Sequence, residues 1–151
     1  MKRLPVVLVL CAALAAPAAA QRPPPTRFDG MWEVTVVCAD VEDPNTRAVA
    51  RGYTWRFTGE VKDGRFRGQY GEEGASPSML LLGRITEEGT AAFRATGKSA
   101  NPDHAVGRVP AGTPFRYTAD GRFDETRGSA SRNETRPCDL TFTKRSTGAA
   151  R

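Results

Sequence analysis

The chain has one histidine, His104, set in Asn101-Pro102-Asp103-His104. A single imidazole with no cysteine beside it falls short of the three or four ligands that a zinc site takes. No Gly-x-Ser-x-Gly occurs, and no Ser, His and Asp are spaced as a nucleophilic triad would suggest. Glu72 and Glu73 are adjacent on a polar stretch, so their carboxylates point apart with nothing to desolvate them as acid–base work requires. The pattern that does emerge is aromatic: Tyr53, Trp55 and Phe57 alternate with Thr54, Arg56 and Thr58. On a strand this spacing puts three rings on one face. Such a face either fills a core or walls a cavity for a small ligand. That chemistry is recognition, and the expectation is a non-enzyme with no cofactor and no metal.

Two stretches must hold those rings in place. One, Asp29 to Cys38, reads DGMWEVTVVC; the other, Arg136 to Lys144, reads RPCDLTFTK. Set antiparallel with Cys38 opposite Cys138, they place Val36 against Leu140, Val34 against Phe142 and Trp32 against Lys144. Side chains alternate with period two, so these all share one face, while Glu33, Thr35, Asp139, Thr141 and Thr143 share the other. The register predicts a disulfide and a seam where first and last strands close a sheet.

Between them lie short strands punctuated by turns, with no convincing helical period. A long polar connection, 39–50, contains Asp43-Pro44-Asn45. Strands are expected at 51–62, 65–70, 79–86, 90–96, 113–119 and 122–132, and the closing strand follows Glu134–Arg136. Asp63-Gly64 is a strong two-residue hairpin signal. Glu88-Gly89 and Asp120-Gly121 are read as further tight turns, and Asp63-Gly64-Arg65-Phe66 is echoed by Asp120-Gly121-Arg122-Phe123. Long and tight links alternate, so an up-and-down barrel has one end capped by turns and the other rimmed by loops. The expected fold class is all-β: an eight-stranded antiparallel meander barrel with one disulfide, Cys38–Cys138. An immunoglobulin-like sandwich is the rival, but its cysteines are closer in sequence than these, which stand a hundred residues apart.

The first twenty residues have a basic start at Lys2 and Arg3, an apolar middle and an Ala18-Ala19-Ala20 exit. That is the pattern of a secretory signal peptide, too short for a permanent membrane span. The expected layout is signal peptide 1–20, Pro-rich leader 21–27, barrel domain 28–146 and disordered tail 147–151. Export suits a disulfide, and a composition rich in Ala, Arg, Gly and Pro points to a bacterial periplasmic or secreted protein. The formal charge of +5 is spread rather than clustered, which argues against nucleic acid and leaves a solvated surface able to steer anionic partners. Asn133-Glu134-Thr135 matches a glycosylation acceptor, read as chance in a bacterial chain.

Gly30-Met31-Trp32 on the first strand, with Phe142-Thr143-Lys144-Arg145 on the last, resembles the calycin pattern of lipocalins, fatty-acid-binding proteins and avidins. The resemblance implies that Trp32 plugs the barrel base and that Lys144 or Arg145 packs across its indole. Leu82-Gly83-Arg84 and the closing Thr141–Lys144 segment are most similar to avidins. Only Trp32 and Trp55 are present, however, so the tryptophans that box biotin are missing and the resemblance implies architecture alone.

Strand parity then gives candidate ligand residues. Tyr53 and Trp55 stand near the loop-rimmed mouth, with Met79, Leu81, Phe115 and Tyr117 in strand halves facing it and His104 and Arg108 above. Arg56, Arg84 and Arg94 point outward. The expected activity is binding of a small apolar or aromatic ligand at the mouth. The alternative is a filled barrel whose long loops engage or inhibit a periplasmic or extracellular protein.

Overall fold

In the computed structural model, residues 26–132 and 134–146 are described. The expected signal peptide, leader residues 21–25, Asn133 and the tail from 147 lie outside the described residues. Strand β1 (Gly30–Cys38) alternates large apolar and polar side chains, and so does β10 (Cys138–Lys144). They pair antiparallel with Trp32 opposite Lys144, Val34 opposite Phe142, Val36 opposite Leu140 and Cys38 opposite Cys138. The cysteines are bonded, with Cα atoms 4.1 Å apart. Facing the same way, Trp32, Val34, Val36, Leu140 and Phe142 are all buried. Each such side chain stabilises the fold by about 1.5–3 kcal/mol.

The other edge of β1 pairs with β4 (Tyr53–Lys62). From there the chain meanders through β5 (Arg65–Tyr70), β6 (Ser78–Ile85), β7 (Thr90–Lys98), β8 (Pro114–Phe123) and β9 (Arg127–Arg132) to β10. The result is a closed eight-stranded antiparallel barrel. Among the described residues, no helix is long and apolar enough to cross a membrane.

Asp63 and Gly64 both have positive φ, 50° and 70°, as a tight primed hairpin turn demands. The expected turn at Asp120-Gly121 does not exist. Asp120 pairs with Ala92 on one side and Ser131 on the other, and Gly121 pairs with Ala91 and Ala130. A Cβ on Gly121 would lie 2.2 Å from the Ser129 carbonyl oxygen. The glycine is there for close strand approach. The chain turns four residues later, where the Asp124 carboxylate accepts the amides of Thr126 and Arg127 at 2.8 and 2.7 Å. The four-residue echo is therefore one hairpin and one mid-strand segment. The connection expected over 39–50 also holds more order than its polarity suggests: β2 (Val41–Glu42) and β3 (Val49–Ala50) pair as a small flap. Its turn is organised by the buried Asp43, which accepts the amides of Asn45 and Thr46.

The tight end of the barrel is filled. Trp32 is fully buried, donates its indole N–H to the Phe28 carbonyl at 2.9 Å and meets Phe123 edge-on at 5.1 Å. Lys144 Nζ lies 5.8 Å from the Trp32 ring and donates to the Arg27 carbonyl, whereas Arg145 turns to Glu33. Of the two cations, Lys144 is the one across the indole. Gly30, at φ 132°, lets the Lys144 side chain pass 3.3 Å from where a Cβ would stand. Above this plug Phe66, Phe93, Phe123 and Phe142 interlock. Gly59 and Gly128 make room for them: a Cβ would come within 2.3 Å of Phe66 and 2.7 Å of Phe123. Asp29 fastens the β4–β5 hairpin to the plug by accepting the Asp63 amide at 2.9 Å and the Gly64 amide at 3.3 Å.

Replacing both cysteines by alanine removes a crosslink around a hundred-residue loop. The expected loss is about 3–5 kcal/mol, read as a lower denaturant midpoint that matches the reduced wild-type protein. Burial raises the Asp29 carboxyl, but the hydrogen bonds from the Thr26 hydroxyl and the Asp63 and Gly64 amides outweigh it and hold the group below its ordinary value. A carboxylate depressed in the folded state contributes stability above its unfolded pKa and loses it as pH falls through the folded value. Asp29→Asn is thus expected to lower the melting temperature at neutral pH, with the gap to wild type closing below about pH 4.

Candidate functional site

Whatever fills the base does not reach the other end. At the loop end lies a cavity of about 470 Å³, within the size range of small-molecule sites. One wall is aromatic and comes from alternate positions of β4 together with the end of β5. Trp55 stacks on Tyr70 with centroids 4.4 Å apart and planes 10° apart, and Tyr53 leans on Trp55 at 4.7 Å. Phe115, from β8, stands 6.4 Å from Trp55. Below the cavity the Tyr117 hydroxyl donates to Met79 Sδ at 3.1 Å. Burial pushes that hydroxyl's pKa well up, so it stays protonated.

The rim is made by the link between β7 and β8. This link holds two short 3-10 turns, Pro102–His104 and Val106–Arg108. The first begins after Asn101, whose side chain accepts the Asp103 amide, and Pro102 suits its first turn. His104 Nδ1 sits 3.1 Å from the Arg51 carbonyl and 3.0 Å from that of Gly52. Carbonyl oxygens only accept, so Nδ1 carries the proton. The imidazole thereby pins the rim to the start of β4 and meets Tyr53 edge-on.

Arg136, in the link between β9 and β10, completes the rim. It is only 3 % exposed. Its Nη1 donates to the His104 carbonyl at 2.7 Å and its Nη2 to the Ala50 carbonyl at 2.9 Å, so one guanidinium ties flap and rim together. It also lies over the Tyr53 ring. Burial lowers its pKa and the nearby Arg132 adds to this, while Tyr53 and Asp40 oppose. Burial likewise raises Tyr53 against the pull of both arginines. Arg132 extends inward from the end of β9, its guanidinium 4.4 Å above the Tyr117 ring.

Of the residues expected at the mouth, Tyr53, Trp55, His104 and Phe115 line the cavity together. Met79, Leu81 and Tyr117 are buried in the core beneath it. Arg108 is exposed and pairs with Asp103 at 3.4 Å, away from the lining. Arg56, Arg84 and Arg94 are exposed on the outer face. Tyr70, Arg132 and Arg136 belong to the lining and were not among the expected ligand residues. Parity alone could have found Arg132: it follows Gly128 and Ala130 on one face and pairs with Cys138. Arg136 lies outside any strand, so no periodic signal marks it. No group of three His, Cys, Asp or Glu able to hold a metal occurs among the described residues. Compared with models of protein families, with curated proteins and with solved structures, the chain has no match.

Arg136→Ala leaves the carbonyls of Ala50 and His104 without their donors. A loss of about 2 kcal/mol or more is expected. Amide exchange is expected to quicken across 49–52 and 102–108, with the barrel strands still protected; hydrogen-exchange mass spectrometry reads both.

Proposed function

We propose that the chain is an exported, non-enzymatic, calycin-like barrel that binds a small apolar or aromatic ligand at its loop-rimmed mouth. The observation that carries this reading is the cavity of about 470 Å³ walled by Tyr53, Trp55, Tyr70 and Phe115 above an aromatic-filled base. Stacked rings offer broad apolar contact at little entropic cost. The calycin part of the reading is supported by Gly30, Trp32 and Lys144, which meet at the base as a strand-one indole under a last-strand cation. The Cys38–Cys138 bond is in keeping with an oxidising destination outside the cytoplasm.

The neutral fluorophore N-phenyl-1-naphthylamine tests the reading. Its emission is expected to rise on binding and to quench Trp55. Ala105 lines the cavity from the rim, and Ala105→Trp is expected to abolish binding while the melting temperature stays within a few degrees. A wild-type protein that leaves the probe unbound, or a blocked variant that binds equally well, overturns the proposal.

A further inference from the structure

The cavity described above is aromatic on one side and lined by cationic groups elsewhere, and its charges do not balance. Arg132, Arg136 and His104 line it; no Asp or Glu does. A guanidinium offers five N–H donors. Arg136 places two of them on carbonyls, and its Nε is buried with no acceptor. The Arg132 Nε is also buried with no acceptor. Among the described residues, Arg132 has no ion pair: its guanidinium lies over the face of Tyr117 and is otherwise near the Tyr53 hydroxyl and the like-charged Arg136. A ring face is a weak substitute for an oxyanion, and a buried donor without an acceptor costs free energy. Two cations facing one cavity add mutual repulsion. Of the acids nearby, Asp103 pairs with Arg108, and Asp40, which accepts the Gly52 amide at 2.6 Å, acts on Arg136.

From this guanidinium, whose buried Nε has no acceptor, beside an aromatic wall, we infer that the mouth selects an aromatic monocarboxylate, with Arg132 as its counter-ion. The acid group takes the Arg132 donors in the paired geometry that suits a planar fork. The ring rests against Trp55 and Phe115. Arg136 keeps the rim closed and adds positive potential without surrendering its carbonyl bonds. This inference rests on the reading of the mouth as a ligand site and narrows its ligand from apolar to anionic.

Two probes of equal shape separate the two claims: 2-naphthoate and its neutral counterpart 2-naphthamide, each titrated by calorimetry at low salt. Wild type is expected to hold naphthoate about ten- to a hundredfold tighter, the range that a charge-assisted hydrogen bond carries. About 1 M salt is expected to erase most of that preference by screening. Arg132→Gln is expected to bring the ratio near one, with a melting temperature within a few degrees of wild type certifying its fold. Equal binding of both probes by wild type, or a preference that survives in Arg132→Gln, overturns the carboxylate inference and leaves the apolar site standing. Should wild type bind neither probe, both readings fall together. If Arg132→Gln does not fold, the wild-type ratio and its salt dependence decide alone.

Discussion

The pairing of β1 with β10 is the constraint on which this structure depends. It joins the two ends of the barrel domain, and every other strand is placed by the circuit it completes. Its register is held at both ends by interactions that a slip would break: the Cys38–Cys138 bond at the loop end, and the Trp32–Lys144 contact at the base. Because side chains alternate, moving one strand by a single residue would turn Val34, Val36, Leu140 and Phe142 outward together. Neighbouring strands inherit this parity from β1, including Tyr53, Trp55 and Phe57 on β4, whose inward direction follows from pairing with Cys38, Val36 and Val34.

The interior divides by side-chain volume. Near the base, four phenylalanines and an indole meet, and glycines on neighbouring strands yield space to them, so the rings pack in close contact. Near the mouth, the rings form a wall on one side, and the space beside them is roofed by segments standing above the strands. Those segments bring small apolar side chains to the cavity, among them Ala105, Val106 and Val109. They stay in place through polar ties to backbone carbonyls, above all from Arg136 and His104. A rigid lower half thus supports an upper half whose shape is set by hydrogen bonds.

What the sequence made legible follows the same division. The seam register, the barrel and the inward faces of most strands could be read because alternation is local and the cysteine pair fixes one absolute register. The Asp63-Gly64 hairpin was legible for a similarly local reason. Asp120-Gly121 misled because the same dipeptide serves two purposes: φ > 0 in a turn, or absence of a Cβ where strands crowd, and only the neighbouring strand tells them apart. The flap within 39–50 was invisible because two-residue strands carry no period. At the mouth, the aromatic wall was legible from parity, whereas Met79, Leu81 and Tyr117 share that parity but are buried in the core and take no part in the lining. Depth along a tilted strand is a tertiary property. Arg136 is set by three separate segments converging, which no single stretch encodes.

Closing the sheet on itself has a consequence for how this protein meets others. An open sheet offers its outermost strand as a template, and a passing chain can extend it through the backbone. Here each of the eight barrel strands has two neighbours, and only the mouth-side halves of β4 (53–58) and β8 (114–119) pair on one side alone, so in the barrel that route is narrowed to the mouth. Over the rest of the barrel wall, recognition from outside must be read from side chains. On the β5–β6–β7 face these are chiefly arginines: Arg65 opposite Arg84, and Arg67 and Arg94 flanking the half-exposed Leu82. Two copies approaching through that face would repel one another, so the arginines there discourage a like-to-like contact across it.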